Sequence, residues 1–375
     1  MLQTATTFKA LGLMSGSSLD GLDLAFCEMT FAESGDLNTW NLVAAETLPF
    51  SEPWKKTLAG LPAGSALQLA EAHAAFGEYV GELVNVFLEK HQLTPNFIAS
   101  HGHTIFHYPD KRFTTQIGDG AAIAARTRRV VIDNFRAQDV ALGGQGAPLA
   151  PLADRVLFSD YDFCLNLGGI ANLTLKADGG RYVAYDIGGA NQVLNALVQP
   201  VGLAYDDKGM MAARGSLNAP LKAKADALPF FSLPYPKSLG NDWVRRELIP
   251  LFLVADCPLE DKLYTACVQL AEQIAAHIAQ TLEREGVRRS NYKLLATGGG
   301  AMNDFLMDCI RKSCASQNVE VVVPDSRIIS FKEAILMALL GALRMLGKPN
   351  CMASVTGAER DAVGGAVHLG KEVNG

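Results

Sequence analysis

Ser15, Ser17, Ser18, Asp20 and Asp23 crowd into the turn of "KALGLMSGSSLDGLDLAF", residues 9–26, between two apolar runs. Hydroxyls and backbone N–H groups in such a turn can wrap phosphate oxygens, and two carboxylates beside them can attract a cation. Taken alone, the stretch is better accounted for as a polar hairpin turn. Two further glycine-rich turns, "NLGGIANLT" and "ATGGGAMND", change the balance. Glycine lets backbone approach a ligand closely, and three such turns at strand ends in both halves of the chain point to a nucleotide held between domains. The familiar phosphate loops are absent. There is no GxxxxGKS/T and no strand-to-helix GxGxxG, because "LGGQGAP" and "TGGGAMN" both miss the spacing. The absence of GxSxG leaves a hydrolase nucleophile elbow unsupported.

Other titratable groups stand in chemically suggestive places. Asp186 ends the apolar run of "VAYDIGGAN", and a carboxylate at the C-terminal end of a strand faces the crevice where α/β proteins bind ligands. It is suited to act as a general base and equally to cap a helix, and its neighbours do not decide between the two. His101 and His103 of "SHGHTIFH" share a strand face at spacing i, i+2, which permits a metal site. No carboxylate sits at a ligand spacing, so imidazoles lining a polar pocket are the preferred account of these and of His107. Arg136, between Asp133 and Asp139 in "DNFRAQDVALGGQGAPLAP", can orient a carboxylate or hydroxyl of a substrate, or belong to an ordinary surface loop.

The elements that must position these residues alternate between strand and helix. "ALGLMS", "LDLAFCEM" and "WNLVAAETLPF" read as strands of one sheet. A helix is expected over residues 65–91, with Leu67, Ala70, Ala74, Val80, Val84 and Phe87 near one stripe. "FIASHG" and "RVVID" read as short buried strands of a parallel sheet. From about Asp160 the theme repeats with "DFCLNLGGIANLTL" and "RYVAYDIG". Helices at 241–254 and 259–285, the strand "KLLATGGG", a helix from Asn303, the strand "VEVVVP" and a helix from Phe331 complete it. The expectation is two similar α/β domains facing a nucleotide cleft, at 1–150 and 151–349, with a segment near 350–375 returning to the first.

Composition agrees with a globular protein. Of 375 residues 49% are hydrophobic and 19% charged, and the net charge of -6 argues against a polyanion-binding surface and hence against nucleic acid. Seven cysteines without a CxxC pair indicate neither a zinc cluster nor a disulfide framework, which fits a cytoplasm. No secretory h-region opens the chain and no run of about 18 apolar residues occurs, so neither export nor a membrane is expected.

Taken in order, the blocks "GLMSGSSLDGLD", "SHGHTIFH", "QIGDGAAIA", "DNFRAQDVALGGQGAPLAP", "LNLGGIANLT", "YDIGGAN", "KGMMAARG", "PYPKSLG", "ATGGGAMN", "FKEAILMALLG" and "SVTGAERDAVGGAV" resemble the anhydro-N-acetylmuramic acid kinase family. That family belongs to the actin/hexokinase/Hsp70-like ATPases, and the resemblance runs nearly end to end. It implies two actin/hexokinase-like (ribonuclease H-like) α/β domains and a kinase that hydrolyses the 1,6-anhydro ring of an amino sugar while phosphorylating its O6 with ATP. By the resemblance, Gly16, Ser17, Ser18, Leu19, Asp20, Gly21, Leu22 and Asp23 contact ATP. Gly168, Gly169 and Asn172 belong to a second phosphate loop, and Gly298, Gly299, Gly300 and Asn303 lie near the adenosine. Asp186 matches the base that activates water, Asp20 or Asp23 holds Mg2+ through water, and His103, Arg136 and Glu333 fall in blocks lining the sugar pocket. A homodimer fits the family as well. Two departures stand out: G-S-S replaces the usual G-T-S, and "DIGGAN" replaces "DTGPGN". The alternatives are another small-molecule kinase of the same superfamily and an ATP-driven switch governed by a protein partner.

Overall fold

The computed structural model describes residues 5–16, 19–177 and 181–370. The chain divides into two compact units, Met1–Leu157 with Phe331–Gly375, and Phe158–Ser330. The first opens with the meander β1 (Thr6–Ser15), β2 (Gly21–Phe31) and β3 (Leu37–Pro49). Helix α1 (Ala66–His91) follows, then β4 (Phe97–Tyr108), β5 (Phe113–Ile117), α2 (Gly120–Thr127) and β6 (Val130–Asp133). In the second unit the order is β7 (Phe163–Leu167), β8 (Ile170–Lys176), β9 (Tyr182–Gly189), α3 (Asn191–Val198), α4 (Leu259–Glu285), β10 (Tyr292–Thr297), α5 (Asp304–Cys314) and β11 (Val319–Val322). The chain then returns to the first unit through α6 (Lys332–Met345) and β12 (Ala366–His368).

Both sheets share one topology. In the first, β3-β2-β1-β4-β6 run in that order, with β12 outside β6 and β5 beside β4; in the second the order is β9-β8-β7-β10-β11. In each, the first three strands pair antiparallel, whereas the fourth joins the first, and the fifth the fourth, in parallel. This is the actin/hexokinase-like, ribonuclease H-like arrangement. Its consequence for the site is that the β1–β2 and β7–β8 connections occupy the same topological position.

Helix α1 is fixed at its start by a capping box: Ser65 Oγ accepts from Gln68 N at 3.2 Å, and Ser65 N donates to Gln68 Oε1 at 2.7 Å. Its buried stripe is Ala72, Phe76, Val80, Val84 and Phe87, not the one expected at its N-terminal end. Leu67, Ala70 and Ala74 are exposed. Stepping back from Phe87 by three or four residues keeps to one face, and the six residues from Val80 to Ala74 turn that face away from the core.

The division of the chain also differs from 1–150 and 151–349, because α6 belongs with the first unit. Ala334 to Leu343 are all buried. The small residues Ala334, Ala338 and Gly341 meet β1 at Gly12 and β4 at Phe97 and Ala99, a close approach that larger side chains would forbid. Leu11, Leu13, Leu24 and Phe26 pack with Phe76, Val80, Val84 and Phe87 in one core cluster. In the second unit a separate core joins β7–β9 to α3, α4 and α5. No helix among the described residues is long and apolar enough to cross a membrane.

Candidate active site

In the first unit the turn after β1 closes on the pair Ser15–Leu22, with Leu19 in the left-handed region at φ +58. Ser17 and Ser18 lie outside the described residues. Gly16 abuts them, and the O of Gly16 accepts from Leu19 N at 3.4 Å. Asp20 Oδ1 accepts from Gly21 N at 3.1 Å, and Asp23 accepts from Thr47 Oγ1 at 2.5 Å. Burial raises the Asp23 carboxyl, the bond from Thr47 opposes this, and the charge of Asp20 raises it further. Two carboxylates that repel each other at a polar turn suit a divalent cation, which relieves their repulsion. The donor set therefore fits Mg2+.

Strand β4 distributes its histidines among different partners. Gly102, at φ +73, interrupts the alternation of side chains that the i, i+2 spacing implies. His103 Nδ1 lies 2.9 Å from Ser15 Oγ, at the end of β1, and its ring meets Phe76 edge-on. Burial lowers its pKa, and the bond with Ser15 opposes this. His107 Nδ1 lies 3.1 Å from Thr114 Oγ1. His101 Nε2 accepts from Arg136 Nε at 3.0 Å. Among the described residues no group of three or more His, Cys, Asp or Glu is placed to hold a metal.

Arg136 pairs with neither of its flanking aspartates. Asp133 accepts from Gly120 N at 3.0 Å and contacts His368 Nε2 at 3.0 Å, tying α2 and β12 to β6. The fully buried Asp139 accepts from Gly146 N and from Thr356 Oγ1, both at 2.7 Å. Arg136 instead shares its surroundings with Glu333, in the first turn of α6. Solvent reaches Glu333, yet the protein around it desolvates the carboxylate and raises its pKa; Asp23 adds to this, and Arg136 and Lys332 oppose it. Asp23, Arg136 and Glu333, more than three hundred residues apart at the extremes, are thus brought into one electrostatic neighbourhood.

The raised Glu333 pKa carries a prediction. The folded protein holds the ionised form at a cost, so this term stabilises it as pH falls through the raised value and destabilises it above. Glu333→Gln, which mimics the protonated acid, is expected to melt higher than the parent near pH ~7, with the gap narrowing as pH approaches ~4. Thermal melts at the two pH values check this, and an equal gap at both would show that the carboxylate is not held at a cost.

In the second unit the turn Gly168–Gly169 is held to the start of α3. Gly168 O accepts from Asn191 N at 3.1 Å, and Gly169 O from Ala190 N at 2.9 Å. Gly298 and Gly300 lie against Leu167, so the Gly168–Gly169 turn and the "ATGGGAMN" segment are neighbours. Around Gly168 and Gly299 the nearest atoms to an added Cβ are 3.4 and 3.5 Å away. Packing therefore does not require glycine at either position, and each leaves bare backbone that suits close approach by a phosphate or ribose. Gly299 and Asn303 line a recess of about 310 Å³ with Asn191, Asp207 and Lys208. Asn303 also caps α5, its Oδ1 accepting from Leu306 N at 2.9 Å. Those three additional lining residues were not singled out from sequence, although "KGMMAARG" contains Lys208 and "YDIGGAN" ends at Asn191.

Asp186 is not a helix cap. It stands within β9, opposite Asn172 of β8. Its Oδ2 accepts from Leu239 N at 2.7 Å and from Ser238 Oγ at 3.2 Å, and its own N donates to Lys237 O at 3.2 Å. Oδ1 has no partner among the described residues, so one oxygen is anchored and the other is left to accept a proton. The "PYPKSLG" loop that provides the anchor is clamped to α4. Lys237 Nζ donates to Phe230 O at 3.0 Å and to His277 Nε2 at 2.8 Å, burial pushing its pKa down to about 8. Arg284 Nη1 donates to Tyr235 O at 2.7 Å, and the Tyr235 ring stacks on Tyr185.

The sequence profile for anhydro-N-acetylmuramic acid kinase matches residues 8–370. A protein of that name from Coxiella burnetii is 32% identical, the match covering 97% of this chain and 98% of the relative. Another from Gloeobacter violaceus is 34% identical, with 96% and 98% covered. Among solved structures, component A of the (R)-2-hydroxyglutaryl-CoA dehydratase of Acidaminococcus fermentans superposes with a TM-score of 0.40 at 11% identity, covering 91% of this chain and 100% of that one. With its blocks matched in order over nearly its full length, the chain belongs to the anhydro-N-acetylmuramic acid kinase family.

Proposed function

We propose that the protein is an ATP-dependent kinase that hydrolyses the 1,6-anhydro ring of 1,6-anhydro-N-acetylmuramic acid and phosphorylates O6, giving N-acetylmuramic acid 6-phosphate for the recycling of cell-wall peptidoglycan. Family membership supports the reaction. The observation that carries the mechanism is Asp186, a strand-borne carboxylate with Oδ2 anchored and Oδ1 without a described partner. Water attacks C1 as Oδ1 takes its proton, the C1–O6 bond breaks, and the electron pair left on O6 forms the bond to the γ-phosphorus. The bond from that phosphorus to the β-phosphate oxygen breaks, and ADP leaves. A general base of this kind contributes about 10²–10⁴ in rate; alignment and electrostatic stabilisation of the phosphoryl group supply most of the rest.

Mg2+, when bound, neutralises phosphate charge, and Asp20 and Asp23 would hold it through water. Backbone of Gly16 to Asp23 and of Gly168 and Gly169, with Asn172 nearby, would hold the phosphates; Gly298, Gly299, Gly300 and Asn303 would hold the nucleoside. His103, Arg136 and Glu333 would contact the sugar. A cytoplasmic site of action fits the ATP requirement and the seven free cysteines.

Reaction in ¹⁸O-labelled water tests this. The label is expected at C1 of the product and absent from the oxygen bridging C6 and phosphorus. Label in that bridge would show that O6 had been lost and would overturn the mechanism. Phosphorylation of an open sugar but not of the anhydro sugar would favour a different kinase of the superfamily and direct attention to the altered "DIGGAN" block.

A further inference from the structure

We infer that His101 is a positioning residue for Arg136, a neutral imidazole that accepts from the guanidinium Nε–H and fixes which edge of that group is left for the substrate. The inference rests on the reading that Arg136 contacts the sugar.

The two neighbours of His101 allow only one protonation state. Gly102 O, 2.9 Å from Nδ1, can only accept, so Nδ1 must carry hydrogen. Arg136 Nε, 3.0 Å from Nε2, can only donate, so Nε2 must present its lone pair. An imidazolium would set N–H against N–H. Burial, and then the charge of Arg136, push the His101 pKa down to about 4, which keeps the ring neutral under working conditions.

A second arm grips the guanidinium from the other side. Arg136 Nη1 donates to Gly146 O at 2.6 Å. The loop bearing Gly146 is fastened in turn by Asp139, which accepts from Gly146 N while Thr356 Oγ1 holds its other oxygen. With Nε and Nη1 engaged, Nη2 has no partner among the described residues. It is the edge left to donate to a hydroxyl or carboxylate oxygen. A guanidinium anchored at two of its three nitrogens loses little further freedom when it binds a planar partner. Without His101 the Nε–H would be buried and unsatisfied, and the fork could rotate away from its ligand.

A double-mutant cycle tests the inference. His101→Leu is expected to lower kcat/KM for the sugar about 10–100-fold, mostly through its KM, while KM for ATP stays unchanged. His101→Gln, whose Oε1 can accept from Nε–H, should recover most of the loss. In an Arg136→Met background, His101→Leu should cost nothing more; additive losses would show that His101 does not act through Arg136. Long-range ¹H–¹⁵N NMR of the parent protein provides a reading independent of turnover. Hydrogen on Nδ1, a bare Nε2, and a slowly exchanging Arg136 Nε–H that disappears in His101→Leu are expected. Hydrogen on Nε2, or an imidazolium near neutral pH, would overturn the inference. Absence of activity on the anhydro sugar in the parent protein would count against the proposed reaction, and the NMR signature would still decide the place of His101.

Discussion

Replacing Asp186 by Asn is expected to lower kcat about 10²–10⁴-fold, with KM for ATP and the thermal midpoint close to those of the parent. The geometry makes this a clean substitution. The carboxylate is held by Leu239 N–H at 2.7 Å and Ser238 Oγ at 3.2 Å, both of which the carbonyl oxygen of Asn can still accept. The strand, the loop and the side-chain position therefore survive, and only the capacity of the second oxygen to take a proton is lost. Asp186→Ala is the poorer experiment, because it also frees the Lys237–Leu239 segment and mixes misplacement with loss of the base. Steady-state kinetics with both substrates varied separate the effects: loss confined to kcat marks a group acting in the transition state, whereas a rise in KM alone marks ordinary binding. Turnover within a few-fold of the parent would remove Asp186 from the role of base.

The meanders, the long helices and the glycine turns were legible in the sequence because local rules govern them. Short, continuously apolar and buried runs along β1 and β2 and the S-x-x-Q box at Ser65 act over a few residues. What was not legible depends on contacts made across long stretches of chain. Asp186 looked equally like a cap or a base, and what decides is Leu239, 53 residues further on. His101 and His103 looked like a pair on one face; the left-handed turn at Gly102 and separate partners, 35 residues ahead for one and 88 behind for the other, divide them. Arg136 looked like a substrate-orienting group or part of a surface loop, and nothing local showed that Thr356 would hold one flanking aspartate, His368 the other, and His101 the guanidinium itself. The return of α6 to the first unit was equally hidden, since an apolar helix rich in Ala and Gly advertises burial without saying against what.

That return makes Gly12 the position where a single methyl group should do most damage. Gly12 lies in the middle of β1, and a Cβ built on it falls 1.8 Å from Ala334 O and 2.7 Å from Ala338 N. These are backbone atoms of α6, so no rotamer change can make room; the helix must translate or the strand must bend. Overpacking of a close-packed core costs about 1–3 kcal/mol, occasionally more, and contact with main chain places Gly12→Ala at or above the upper end. The control is Gly60→Ala, whose added Cβ meets nothing within 4 Å and whose backbone is helical, at φ -85. That change should be neutral within about 0.5 kcal/mol. Denaturant titrations of the two variants measure the difference. Activity gives a second readout, because Glu333 sits in the first turn of the displaced helix, beside the charges of Asp23 and Arg136. Under conditions where Gly12→Ala remains folded, KM for the sugar should rise while Gly60→Ala leaves it unchanged. A Gly12→Ala protein as stable and as active as the parent would show that α6 does not lie on β1 at this separation, and the placement of Glu333 beside Arg136 would fall with it.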